Sequence, residues 1–260
     1  MADLFSISSV SAGYGINIFI RGLDLAVAGG EFVSFIGPNG AGKSTIIRLL
    51  AGMLAPASGT VSFCGREING FGARELARNF SVVMRITGNV PAFSVRSFLG
   101  FGMFAHSGPV RAGVKGIHLV DEMALRTGIM HLMERSVNEL STGEFQLVQV
   151  ARALVQNSGI IILDEPVSNL DYRHSTMVMD ILRDLNRSGT TVICALHDVN
   201  CASNYSSRIV CVKNGGIFIE GAPGSVVKPE IMNKLYDAEF MSLVNPATGS
   251  PMIVPVPGSV

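Results

Sequence analysis

Nine consecutive residues, GPNGAGKST from Gly37 to Thr45, satisfy the pattern G-x-x-x-x-G-K-[ST] between one apolar run and the start of another. That context suits phosphate binding. Glycines at 37, 40 and 42, with Pro38, Asn39 and Ala41 between them, let backbone N–H groups curl around a β-phosphate. Lys43 reaches the β- and γ-phosphates, Ser44 offers a hydroxyl to Mg²⁺, and Thr45 carries the chain into the helix.

A second chemical segment is GIIILDEP, Gly159 to Pro166, an apolar run ending in two adjacent carboxylates. The carboxyl ends of strands are where open α/β sheets bind ligands. There Asp164 would hold Mg²⁺ through water, and Glu165, turned to the other face, would act as general base on an attacking water. A further strand end places His197 after TVIC, within ALHD. LSTGEF, Leu140 to Phe145, reads as a capping box in which Ser141 bonds into the first turn and Glu144 reaches back. Taken alone it marks a helix start, and its N–H groups also suit a phosphate supplied by a second copy of the chain.

These residues need elements to hold them. Phe5 to Val10 and Gly30 to Ile36 are rich in β-branched and aromatic residues and read as strands, with Ile16 to Val27 alternating loosely between them. IIRLLAG, Ile46 to Gly52, reads as a short helix closed by glycine, and Pro56 to Ile68 as a small hairpin. From about residue 86 to 139 the pattern turns helical, with Ile117, Val120 and Ala124 on one face and glycines 100, 102, 108, 113 and 116 marking loops. Beyond it, helix 145–155, strand 159–163, a helix carrying Val178, Ile181, Leu182 and Leu185, and strand 190–196 alternate. Such alternation predicts a mainly parallel α/β sheet with right-handed crossovers. The last fifteen residues, PATGSPMIVPVPGSV, predict an extended tail.

Composition excludes several classes. The chain of 260 residues is 48% hydrophobic and only 15% charged, and its 20 basic residues cancel 20 acidic ones. Disorder is disfavoured, and no net field exists to hold a nucleic acid or an anionic membrane. Apolar runs such as Ile160 to Leu163 fall far short of the roughly 18–20 residues that span a bilayer, so membrane contact is expected through a protein partner. An acidic third residue and the lack of an apolar stretch argue against a secretory signal and for the cytosol. Cys64, Cys194, Cys201 and Cys211 form no C-x-x-C pair and read as reduced thiols.

GPNGAGKST, LSTGE, IIILDEP, SNLD (Ser168 to Asp171) and ALHD, in this order and spacing, resemble the nucleotide-binding subunit of an ABC transporter from about Leu4 to the tail. Within that family, GYG around Tyr14, SVVM, LSTGE and the stretch Asn245 to Pro255 resemble the ATP-binding subunits of iron-siderophore, heme or cobalamin importers. The resemblance implies a P-loop NTPase fold in a single domain over 1–260, with an N-terminal antiparallel β subdomain, a helical subdomain at about 86–155 and a tail segment at 221–260.

It also implies ATP and Mg²⁺ as cofactors, with Tyr14 stacking on adenine. Asp164 would be the Mg²⁺ carboxylate, Glu165 the base and His197 the group on the γ-phosphate. Ser141 and Gly143 would close over the ATP of an opposite subunit, and Asp171 would join the two sites. The implied partners are a second ATPase subunit in a head-to-tail dimer, an integral-membrane permease met by the insert around Ile86 to Gly116, and indirectly an external binding protein. The implied place is the cytoplasmic face of the inner membrane. Where the family has a glutamine after Ser81 to Met84, this chain has Arg85, and its first glutamine is Gln146. Leu147 and Thr142 replace an arginine and a glycine usual there. Two other readings stay open: a nucleotide-gated dimerising module of weak hydrolysis, uncoupled by Arg85, and a soluble ABC ATPase outside transport.

Overall fold

A computed structural model describes residues 3–84, 91–107 and 114–258. Two compact units emerge, one from Met1–Phe71 with Thr191–Val260 and the other from Gly72–Thr190.

The first unit holds strands of two larger sheets and a two-stranded C-terminal ribbon. One is antiparallel, in the order Asn17–Ala28, Asp3–Tyr14, Ser58–Phe63, Arg66–Glu67. The hairpin expected at 56–68 supplies its last two strands, with Ser62 opposite Glu67 and Phe63 opposite Arg66. In the other sheet Phe32–Ile36 lies between parallel neighbours Thr191–Ala195 and Arg208–Lys213, and Gly216–Gly221 forms an antiparallel edge. Every residue of Phe32–Ile36 and Thr191–Ala195 is buried, which explains their continuous apolar runs: a strand covered on both faces has no reason to alternate. The one hydroxyl in Phe32–Ile36, Ser34, is satisfied by the Ser206 hydroxyl at 2.6 Å.

In the second unit Phe80–Val83 pairs in parallel with Ile160–Asp164, all five of whose residues are buried. Helices Val95–Gly100, Val114–Arg126, Thr142–Val155 and Tyr172–Arg187 surround this pair in sequence. Val178, Ile181 and Leu182 are buried as the periodicity predicts, whereas Leu185 is only half-buried.

Three expectations need correction. Gly100, Gly102 and Gly116 sit in helical turns instead of loops. A Cβ on Gly102 would come within 2.5 Å of the Arg152 carbonyl oxygen, so this glycine serves close packing. Gly108 and Gly113 lie outside the described residues. Ile117 is exposed; the buried face of Val114–Arg126 is Val120, Met123 and Ala124, which continue the i, i+3, i+4 spacing. The last fifteen residues are no free tail, because Pro251–Pro255 pairs with Phe240–Val244 as an antiparallel ribbon in which Ser242 faces Ile253.

All four cysteines are free, and burial pushes the Cys201 and Cys211 thiols up to about 12. Among the described residues no helix is long and apolar enough to cross a membrane.

Candidate functional site

In the first unit, Gly37–Thr45 links the carboxyl end of Phe32–Ile36 to a helix that starts at Lys43 and ends at Leu50. Three glycines make the turn possible, with φ of 145° at Gly37, 76° at Gly40 and 112° at Gly42. Those values fall where a side chain is strained. Space is also short, since a Cβ on Gly37 would lie 2.0 Å from the Val212 carbonyl oxygen and one on Gly42 would lie 2.8 Å from Ile20 Cδ1. No side chain caps the helix at Gly42, which opens it in a left-handed conformation. Lys43 is 5% exposed, and its ammonium donates to the carbonyl oxygens of Gly37 at 2.7 Å and Pro38 at 3.0 Å. The cation is therefore held on the inside of the loop. Ser44 is half-buried and Thr45 buried, while Asn39 is exposed.

Tyr14 ends the first strand and is half exposed. Arg48, on the phosphate-loop helix, donates to its hydroxyl at 2.6 Å and lies 5.5 Å from its ring centroid. The aromatic is thus tied to the phosphate loop by a residue that sequence reasoning passed over, because Arg48 reads as an ordinary position in a short helix. His197 is exposed. It follows Thr191–Ala195, whose Ala195 pairs with Phe35, and the Leu196 N–H donates to the Phe35 carbonyl at 2.9 Å. His197 and the phosphate loop accordingly leave adjacent parallel strands at the same end.

In the second unit Asp164 closes its strand and is 5% exposed. Glu165 is half-buried with φ of 55°, a left-handed conformation that costs a non-glycine residue about 1–2 kcal/mol. Its carbonyl accepts from Gln146 Nε2 at 3.3 Å and Ser168 Oγ at 3.2 Å, which hold the turn. Gln146, the chain's first glutamine, belongs to Thr142–Val155 and so braces the carboxylate turn from the helix that the Ser141 capping box opens.

The capping box is formed as predicted. The Ser141 N–H donates to Glu144 Oε2 at 2.8 Å, and the Glu144 N–H donates to Ser141 Oγ at 3.3 Å. The N–H and hydroxyl of Ser141 hold the Glu144 carboxyl below its ordinary value, aided by the Arg135 guanidinium at 3.3 Å. Asp171 caps the helix Tyr172–Arg187, and its Oδ1 accepts from the His174 N–H at 2.8 Å and faces His174 Nδ1 at 2.9 Å. Those bonds from His174 lower its pKa as well. Ser141, Gly143, Glu144, Asn169, Asp171 and His174 line one cavity of about 300 Å³. The structure therefore gathers Ser141, Gly143 and Asp171 although 30 residues separate the first from the last. A Cβ on Gly143 would lie 2.9 Å from the Asn169 carbonyl oxygen, the close approach that makes glycine fit there. Arg85 lies outside the described residues.

Comparison with known proteins places the chain among relatives. The ABC transporter family matches residues 20–168. The hemin import ATP-binding protein HmuV of Rhodopseudomonas palustris strain HaA2 is 36% identical, over 91% of both chains. The ferric enterobactin transport ATP-binding protein FepC of Escherichia coli strain K12 is 32% identical, over 95% of this chain and 92% of that one. Among solved structures, the dimeric post-hydrolysis state of the ATP-binding cassette MJ0796 with ADP and Pi is 26% identical, with a TM-score of 0.77, over 84% of this chain and 98% of that one.

Proposed function

Because the chain belongs to the ABC transporter family, we propose that it is the ATP-binding and hydrolysing subunit of an importer for a metal chelate of the siderophore, heme or cobalamin kind. The observation that carries the ATPase reading is the buried Lys43 ammonium, held on two carbonyls of a glycine loop at an uncapped helix start. A fixed cation beside oriented N–H groups stabilises phosphoryl charge as it develops, at no cost of reorganisation. The importer reading rests on relatives, a hemin import and a ferric enterobactin transport ATP-binding protein, that this chain matches over nearly their whole length.

Each residue then has a task. The N–H groups of 37–45 and the Lys43 ammonium bind and orient the β- and γ-phosphates, and Tyr14, steadied by Arg48, stacks on adenine. In the first unit the Ser44 hydroxyl, at a helix start, is a hard oxygen donor of the kind Mg²⁺ takes, and in the second unit the buried Asp164 carboxylate, at a strand end, is another. When bound, Mg²⁺ neutralises charge on the phosphate oxygens. Glu165 accepts a proton from the attacking water, and His197 contacts the γ-phosphate. Ser141 and Gly143, with Asp171 beside them in the same cavity, face the ATP of a second subunit. The two subunits sit at the cytoplasmic face of the membrane against permease subunits, with an external binding protein on the far side.

Glu165→Gln is expected to keep ATP binding yet accumulate a dimer in size-exclusion chromatography, because the water loses its base while the phosphate contacts remain. A variant that stays monomeric under saturating ATP would count against the sandwich. Purification of the full chain from its own membranes tests the importer reading: it should bring down a polytopic permease, and recovery of the chain free of any membrane protein would point to a soluble ATPase.

A further inference from the structure

The C-terminal ribbon is joined to the helix that follows His197 by directional bonds. That helix, Val199–Tyr205, has only seven residues, and isolated helices shorter than about 12–15 residues are marginal, so its orientation must come from its contacts. Asp198 caps it, with Oδ1 accepting from the N–H groups of Asn200 at 2.8 Å and Cys201 at 3.2 Å. On the helix, Asn200, Ser203 and Asn204 fall at i, i+3 and i+4, one face by geometry. All three bond to the ribbon or its turn.

Asn200 does so as a strand would. Its Nδ2 donates to the Ile253 carbonyl at 3.0 Å, and its Oδ1 accepts from the Ile253 N–H at 2.8 Å. A side-chain amide offers one donor edge and one acceptor edge, as a peptide does, so the pair fixes both distance and tilt. Ser203 Oγ donates to the Pro251 carbonyl at 2.5 Å, and Asn204 Oδ1 accepts from Asn245 Nδ2 at 3.1 Å and Thr248 Oγ1 at 2.9 Å. Apolar packing would tolerate sliding of the helix. Five hydrogen bonds along one face do not.

His197 therefore sits between two anchors. On one side Leu196 is pinned to the Phe35 carbonyl, and on the other the capped helix is pinned to the ribbon. We infer that the ribbon of Phe240–Val244 and Pro251–Pro255 sets the direction of His197, and that Asn200 is the positioning residue through which it does so. This rests on the assignment of His197 to the γ-phosphate made above.

Steady-state ATP hydrolysis by the full chain as wild type, Asn200→Ala, His197→Ala and the double variant tests the inference, with thermal denaturation to confirm folding. Asn200→Ala is expected to lower kcat about five- to tenfold with KM for ATP within about twofold, because the histidine acts on chemistry more than on binding. In the His197→Ala background the same change should cost nothing further. Asn200→Asp, which retains the acceptor for the Ile253 N–H, should fall between. Ser203→Ala should lower melting temperature by a comparable amount but kcat by less, because its bond lies a turn farther from His197. An equal loss of kcat from Asn200→Ala in both backgrounds, or no loss in either, would overturn the inference. Wild-type kcat in His197→Ala would instead remove the His197 assignment itself.

Discussion

The glycine loop at 37–45 and the cavity lined by Ser141, Gly143 and Asp171, both proposed above to meet phosphate, are made in opposite ways. The loop depends on backbone: φ of 145° at Gly37 and 112° at Gly42, a carbonyl of Val212 where a Cβ would go, and one buried ammonium turned inward. The cavity depends on side chains that satisfy one another, Ser141 with Glu144 and Asp171 with His174, around a helix start that many sequences form. A site made of forced backbone tolerates almost no substitution. One made of reciprocal caps loses its parts gradually.

Paired glycine substitutions put that contrast to the test most severely. Gly37→Ala combines a disfavoured φ with a contact at 2.0 Å to an immobile carbonyl, and should abolish ATP binding in isothermal titration. Gly143→Ala meets the Asn169 carbonyl at 2.9 Å from ordinary helical backbone, so ATP binding to the isolated chain should remain within about threefold while hydrolysis falls roughly tenfold. If the two variants bound ATP equally well, the distinction between the two regions would be wrong.

Ser141→Ala should have a smaller effect, about 1 kcal/mol of stability by chemical denaturation, because one helix N–H loses its acceptor. The change should leave ATP affinity unaltered. Acid should expose the same region. Glu144 and Asp171 have folded pKa values lowered by the bonds from Ser141 and His174. Their contribution is complete above the unfolded values of 4.5 and 3.8 and is lost as pH falls through the lower folded ones. Melting temperature should drop below about pH 4, and Glu144→Gln with Asp171→Asn should flatten that slope. An unchanged slope would mean that the caps contribute nothing to acid sensitivity.

The same contrast governs what the sequence discloses. GPNGAGKST and the capping box are readable because each is local: glycine spacing at 37, 40 and 42 states a backbone path, and Ser141 with Glu144 states a helix start. The phosphate-loop helix begins at Lys43, three residues before the apolar run at Ile46, because no capping side chain marks its start. Gly102 misleads for a related reason, since a glycine buried in a helical turn looks like a loop glycine until its neighbour, the Arg152 carbonyl, is known. Arg48 against Tyr14 spans 34 residues and Asn200 against Ile253 spans 53, and no period or motif announces either pair. Long-range hydrogen bonds of this kind follow from the fold and do not appear in any window of sequence.

The central claim is that the buried Lys43 ammonium is the phosphate-binding charge of an ATPase. Steady-state ATP hydrolysis in the presence of Mg²⁺ by the wild-type chain and by Lys43→Ala, both confirmed as folded, measures it directly. Hydrolysis should fall by about a thousandfold or more in the variant, with ATP binding weakened, because removing the cation deprives the transition state of its fixed counter-charge. Wild-type binding and turnover in Lys43→Ala would contradict the account.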